Sequence, residues 1–273
     1  MSNPKVVIFV QARCGSTRLP EKILKRVLGK ELLILMIERL RRVRTADTVA
    51  VLTTGCSRDD AIVELCAIHG IPCARGSEND LLDRHYQGAR EFQADAVVKI
   101  PSDCPLIDPE VADRVIGRYL QRLGEVDYIS NLHPATYPDG NDVEVMSFQT
   151  LETAWREANR SFEREHTTPF IWESPGRFRI GNVVWESGLD YSTSHRWTLD
   201  YPEDFQFVRA VYSELYVSRP EFGLADILAL MEVRPDIYAL NRKYAGQYWY
   251  EKHLDELHHI EDYKAKRTEP VSE

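Results

Sequence analysis

Val6-Val7-Ile8-Phe9-Val10 runs straight into Gln11-Ala12-Arg13-Cys14-Gly15-Ser16-Thr17-Arg18-Leu19-Pro20. A short, unbroken, mostly β-branched apolar run reads as a strand buried on both faces, and the polar string after it as the loop leaving the strand's C-terminal end. An amphipathic stretch follows over residues 34–43, then a second strand over 48–53 and a helix over 59–69. This strand–helix–strand order predicts an α/β domain with a mostly parallel sheet, because parallel neighbours need a crossover and the helices supply it. The rhythm continues with a strand over 71–74, a helix over 81–92, a strand over 96–100 and a helix from Pro109 to about residue 123. In such sheets ligands gather at the C-terminal ends of the strands.

Past Asp127 the rhythm changes. Residues 128–131 and 143–147 read as strands on either side of a loop rich in Pro, Gly and Asp. A helix is expected over 149–159, and further strands over 178–185 and 194–199. Residues 128–199 therefore read as a small antiparallel lobe laid on the parallel sheet. Helices over 202–216 and 224–234 close what reads as a single domain, 1–263, ahead of a polar tail, 264–273.

With 273 residues, 43% hydrophobic and 28% charged, the chain can bury a full core without disulfides or metals. No apolar run is long enough to span a membrane. The five cysteines are odd in number and lack CxxC spacing, so neither a disulfide framework nor a zinc ribbon is expected, and a reducing cytoplasm fits. A net charge of -9 argues against a nucleic-acid partner. That charge is uneven: residues 1–44 hold eleven Lys/Arg against three acids, a surplus of +8, which leaves -17 for the remainder. A small polyanion held at the N-terminal end is the simplest reading. Arg39, Arg41, Arg42 and Arg44 read as the solvated face of a helix.

In the first loop, Gly15 with Ser16 and Thr17 lets backbone N–H groups approach phosphate oxygens, while Arg13, Arg18 and Lys22 supply fixed positive charge. The loop is neither a Walker A string nor GxGxxG, which disfavours an ATPase or a dehydrogenase. The string Gln11-Ala12-Arg13-x-Gly15-Ser16-Thr17-Arg18-Leu19-Pro20-x-Lys22 resembles the opening motif of the cytidylyltransferase family, which includes the CMP-sugar-acid synthetases and the SpsF-like spore-coat polysaccharide proteins. The resemblance is strongest to the SpsF-like branch and recurs over residues 6–210. It implies a Rossmann-like sheet of the nucleotide-diphospho-sugar transferase type, CTP as substrate, Mg²⁺ as cofactor and a homodimer.

The same resemblance assigns roles to later motifs. Arg75-Gly76-Ser77-Glu78-Asn79-Asp80 reads by itself as a helix start, with Ser77 and Asp80 as caps; in the family it borders the nucleotide, so Ser77 or Arg84 is expected on the base or ribose. Pro101-Ser102-Asp103-Cys104-Pro105 follows a strand, and Asp103 matches the family's metal-binding aspartate, although Ser102 stands where the family usually has glycine. Thr198-Leu199-Asp200-Tyr201-Pro202-Glu203-Asp204-Phe205 resembles T-[VL]-D-x-P-E-D-[FL], whose first aspartate is the second metal ligand; Asp200 is expected to end a strand and Asp204 to cap the next helix. Asp139, Asp142 and Glu144, with Arg164, His166 and Arg196, match segments that the family uses for the acceptor and for subunit contact.

The expected reaction is attack by an acceptor on the α-phosphorus of CTP, in surface polysaccharide biosynthesis, with Arg18, Lys22, Asp103 and Asp200 as its core. Arg164 and Arg196 point to an acidic sugar as acceptor. Two other readings stand beside it. A glycosyltransferase consuming a nucleotide sugar would carry a DxD motif, but Asp103 is followed by Cys104 and Pro105. A non-catalytic sugar-nucleotide binding module would lack a metal acid or a triphosphate base. His166 and His195 lack zinc-ligand spacing. Cys14 and Cys104 lack a neighbouring base. Tyr244, Tyr248, Trp249 and Tyr250 read as core packing near the C-terminus.

Overall fold

In the computed structural model, which describes residues 3–248, 250 and 253–259, the first apolar run is β1 (Val6–Gln11), an interior strand of a seven-stranded sheet. A two-residue ribbon, β2 (Arg26–Val27) against β3 (Lys30–Glu31), leads into α1 (Leu32–Leu40). The alternation then runs β4 (Thr48–Thr54), α2 (Asp60–Ile68), β5 (Cys73–Gly76), α3 (Leu81–Glu91), β6 (Ala96–Pro101) and α4 (Pro109–Gln121). After β7 (Tyr128–Ser130) and β8 (Glu144–Ser147) come α5 (Phe148–Glu157), α6 (Ser161–His166) and α7 (Pro169–Trp172). The last elements are β9 (Ile180–Asn182), α8 (Pro202–Leu215), α9 (Leu224–Val233) and α10 (Pro235–Tyr238). Trp249 and the expected tail, 264–273, lie outside the described residues.

The strand order is β5-β4-β1-β6-β8-β7-β9. β1 pairs in parallel with β4 and β6, and β4 with β5; β8 runs antiparallel to both β6 and β7, and β9 is parallel to β7. The expected mostly parallel α/β sheet is thus present, with β8 the reversed strand. Both faces are covered. On one, Val6, Ile8 and Val10 of β1 meet α1, α2 and α4; on the other, Val7 and Phe9 meet α3, α5, α6 and α7. Burial on both faces is why β1 carries no polar alternation. A third cluster packs α8 and α9 on Leu106, Tyr137 and Trp197.

Three expectations change. The antiparallel strands β7 and β8 are built into the sheet rather than laid on it: β8 pairs with β6 along 96–99, satisfying an edge that the parallel strands alone would leave open. Residues 194–199 form no strand. They cross the strand ends, held by an isolated bridge between Asp139 and Arg196 and by Leu199 N–H donating to the Asp103 carbonyl (2.8 Å). Arg39 is no solvated residue either. It is buried, and donates to the carbonyls of Ile107 (2.7 Å), Phe222 (3.0 Å) and Leu106 (3.3 Å), joining α1 to the loop before α4 and the one before α9.

His85 on α3 illustrates the cost of polar groups under this sheet. Its side chain is fully buried, edge-on to Phe9, with Nδ1 2.9 Å from the Leu81 carbonyl and no partner at Nε2. Burial pushes its pKa down to about 3. The unfolded chain, with an ordinary histidine near about 6.5, binds a proton between those values that the native state refuses, so His85 subtracts stability as pH falls through that window. Replacing His85 by Leu should reduce the pH-dependence of the unfolding free energy between about pH 6 and pH 4.5 by close to one proton, about 1.4 kcal/mol per pH unit. Urea titrations at the two pH values measure it; identical slopes for both proteins would disprove it.

Candidate active site

The C-terminal ends of β1 and β6 open onto a cleft of about 960 Å³. Its lining includes Gln11, Ala12, Arg13, Gly15, Ser16, Thr17, Arg18 and Lys22 from the first loop, and Arg84, Asp103 and Asp200 from elsewhere. The loop is shaped from beneath. Cys14 N–H donates to Asp59 Oδ1 (2.7 Å), Asp59 also bonds Thr54, and Ala12 N–H reaches the Leu52 carbonyl (2.9 Å). Gly15 leaves room for the Arg58 guanidinium, which would lie 3.1 Å from any Cβ there, and Arg58 is itself paired to Glu78.

One ammonium joins the two aspartates. Lys22 Nζ lies 3.2 Å from Asp103 Oδ2 and 3.0 Å from Asp200 Oδ1, and donates to the Leu199 carbonyl at 2.7 Å. Burial opposes its charge, but Asp103 and Asp200 hold its pKa above the usual lysine value. Asp200 also receives Arg18 (2.7 Å), whose guanidinium lies over the Tyr201 ring. Burial would raise the Asp200 pKa; Lys22 and Arg18 bring it below the ordinary carboxylate value. Ser102 forms the turn without glycine: Cys104 N–H reaches the Pro101 carbonyl (3.2 Å), and Ser102 is not among the residues of positive φ.

Asp200 is positioned by its own helix start. Asp204, fully buried, accepts from the N–H groups of Asp200 and Tyr201 (2.9 Å each) and from Asn241 (2.8 Å). Arg196 grips the same carboxylate (2.9 and 3.0 Å) and extends to Asp200 (3.3 Å) and Asp139 (3.4 Å). Arg196 therefore organises carboxylates, and its charge is spent there. Gly140, at φ +107°, makes the approach possible: a Cβ would meet the backbone of Trp197 at 2.7 Å.

Asp139 and Asp142 complete an acidic wall. Burial and then its neighbour Asp142 push the Asp139 pKa well up; burial, then Asp103 and Glu144, push Asp142 up to about 7. Behind them Glu144 is buried against Lys99 and accepts from Tyr128 Oη (2.7 Å). The His166 pKa is depressed to about 3 by burial and then by Lys99, so this residue is a neutral imidazole on the cleft wall. Burial raises the thiol pKa of Cys14 to about 12 and lifts that of Cys104 well above the ordinary thiol value, which leaves neither as a nucleophile.

Two expected site residues lie outside the cleft lining. Ser77 Oγ caps Asp80 N–H (3.1 Å), and Arg164 is clamped to Asp80 (2.6 and 2.9 Å) and to the Trp155 carbonyl (2.6 Å). Arg84 does line it, buried, with no hydrogen-bond partner at Nε or Nη1. Burial, then the charge of Arg13, lower its pKa to about 10. Among the described residues no carboxylate lies within ion-pair reach of Arg13 or Arg84. Sequence reasoning missed Lys99, Tyr201 and Asp204's hold on Arg196, since each depends on a neighbour distant in the chain or on the turn of a helix.

A mostly parallel sheet with a cationic loop after β1 and two aspartates on one cleft, Asp103 after β6 and Asp200 before α8, has the geometry of a nucleotide-binding α/β protein. Comparison with known proteins narrows the class. The cytidylyltransferase profile matches residues 7–242. The chain belongs to the cytidylyltransferase family, a family of CTP-using nucleotidyltransferases. It is similar to the spore coat polysaccharide biosynthesis protein SpsF of Bacillus subtilis, with 27% identity over 85% of this chain and 95% of that one. It is 37% identical to a 3-deoxy-manno-octulosonate cytidylyltransferase of Anaeromyxobacter dehalogenans, over 41% of this chain and 46% of the relative. A solved cytidylyltransferase from Leptospira borgpetersenii superposes with a TM-score of 0.81 and 31% identity, covering 86% of this chain and 97% of that one. Among the described residues no helix is long and apolar enough to cross a membrane.

Proposed function

We propose that the protein transfers CMP from CTP to a sugar acceptor with release of pyrophosphate, in the assembly of a surface polysaccharide. One observation carries the nucleotide half: Arg13 and Arg84 face the cleft with no carboxylate partner, beside a loop of Gly, Ser and Thr. A buried guanidinium without a counter-ion is costly, and an incoming triphosphate offsets that cost. Arg13, Arg84 and the loop N–H groups bind and orient the phosphates, so that the leaving pyrophosphate departs into positive charge. Arg18 and Lys22 reach the same end of the cleft from Asp200 and Asp103.

The residues present fit Mg²⁺. Among the described residues no three acidic, His or Cys side chains converge as a metal cage. Asp103 and Asp200, however, already share one cation, the Lys22 ammonium, and hard carboxylate pairs completed by substrate phosphates suit this ion. When bound there, Mg²⁺ would neutralise phosphate charge. Arg196 and Asp204 keep Asp200 turned toward the cleft. The acidic class of acceptor is supported by the name of the 3-deoxy-manno-octulosonate relative and no longer by Arg164 and Arg196, which are committed to carboxylates. The polysaccharide setting is supported by the name of the Bacillus relative.

Purified protein with Mg²⁺ and a panel of sugar acids should release pyrophosphate from CTP and at least tenfold more slowly from UTP, ATP or GTP, a discrimination of about 1.4 kcal/mol. Equal release from UTP would sink the cytidine reading.

A further inference from the structure

The family profile ends at residue 242, and described residues beyond it line the cleft. Tyr244 stacks on Tyr201 (3.9 Å, 9°), and Tyr248 Oη donates to the Ser192 carbonyl (2.7 Å). Farther on, Leu257 is buried in the α3/α5 core, and the N–H groups of His258 and His259 donate to the Glu173 carboxylate (2.6 and 3.1 Å). Described residues on either side of residue 250 are therefore tied to the domain. Between these ties lie Gln247, Tyr248, Tyr250 and His253, which line the cleft. The Tyr248 and Tyr250 rings stack at 5.0 Å and 8°, and the His253 ring lies 5.6 Å from that of His166.

We propose that this C-terminal segment forms the acceptor subsite and sets acceptor specificity, and that its ligand is a sugar ring held by its apolar face and its hydroxyls. This rests on the CMP-transfer reading. The cations without carboxylate partners, Arg13 and Arg84, mark the triphosphate end. Around the segment the cations are spent: Lys99 on Glu144, Arg196 on Asp204, Arg164 on Asp80. The same walls carry the Tyr248 and Tyr250 rings, the His166 and His253 imidazoles, the latter 3.0 Å from Glu256, and the acids Asp139 and Asp142. A pyranose matches that set, because it presents C–H groups to an aromatic face and hydroxyls to polar groups at its rim. Because these residues lie beyond the matched family domain, the discrimination they supply is separate from the nucleotide machinery within it.

The test compares wild type with Tyr250→Ala, Tyr250→Phe and His253→Ala in the full-length chain. Calorimetry measures CTP affinity. Saturation-transfer NMR, with CDP and Mg²⁺ present, measures binding of 3-deoxy-manno-octulosonate, N-acetylneuraminate, N-acetylglucosamine and glucose 1-phosphate. Tyr250→Ala and His253→Ala should keep CTP affinity within about twofold and weaken the sugars that wild type binds by roughly tenfold, while Tyr250→Phe retains them. Unchanged sugar binding in both alanine variants would overturn the proposal, as would wild-type protein that binds CTP and none of the sugars. Failure of wild type to bind CTP would instead sink the parent reading, and this one with it.

Discussion

Asp103→Asn should cut CTP-dependent pyrophosphate release by roughly 10²–10³-fold, the usual cost of losing one preorganised electrostatic group, while leaving the fold intact. The side chain is one of two carboxylates on Lys22, at 3.2 Å. Its backbone carbonyl, which holds Leu199 N–H (2.8 Å) and Thr198 Oγ1 (3.0 Å), is untouched by the substitution. Asparagine keeps the shape and removes the charge. Lys22 then retains Asp200 and the Leu199 carbonyl, and the repulsion that Asp103 exerts on Asp142 disappears. Stability should therefore hold or rise slightly in a urea titration while turnover collapses. Undiminished turnover would remove Asp103 from the reaction.

Arg84→Met should move stability and nucleotide affinity in opposite directions. In the free protein Arg84 is buried beside Arg13, and two of its guanidinium nitrogens lack partners. Leaving buried donors unsatisfied costs about 1–3 kcal/mol, and an unbranched apolar side chain of similar length removes that cost. The unfolding free energy should rise by about that amount. With nucleotide bound the same group is an asset: a hydrogen bond to a charged partner contributes roughly 1.5–3 kcal/mol, so the CTP dissociation constant should increase about 10- to 150-fold. Arg84 also packs on Gly76, where a Cβ would sit 3.0 Å from its Cγ, so its placement is fixed by the strand before α3. A variant that loses stability, or that binds CTP as wild type does, would refute a ligand-waiting role for this arginine.

The contrast between Arg84 and Arg164 shows where sequence reading stopped. Both were candidates for ligand contact. Only packing assigns them: Arg164 lies where Asp80 can take its charge, and Arg84 lies beneath the loop with no acid in reach. Arg196 is a similar case. Its motif was visible, but its partners Asp139, Asp200 and Asp204 come together through a glycine at φ +107° and the first turn of α8. Ser77, singled out by its motif, accepts from the N–H of Asp80, which is itself the N-cap of α3.

Local chemistry determined much from the sequence alone. The unbroken apolar run of β1 required burial on both faces, which with the intervening helices required a parallel sheet. That in turn placed the Arg13–Lys22 loop, Asp103 and the strand ends at one edge. Periodicity and strand–loop order are properties of neighbours in the chain, so they are legible there. Tertiary structure alone decided that β8 closes onto β6, that residues 194–199 cross the strand ends as a loop, and which cations are spent on carboxylates. It also decided that Gln247, Tyr248, Tyr250 and His253, beyond the matched domain, wall the cleft. The physical reason is the same each time: pairing of charges and backbone groups is settled by distances between residues far apart in the chain, and no local pattern encodes those distances.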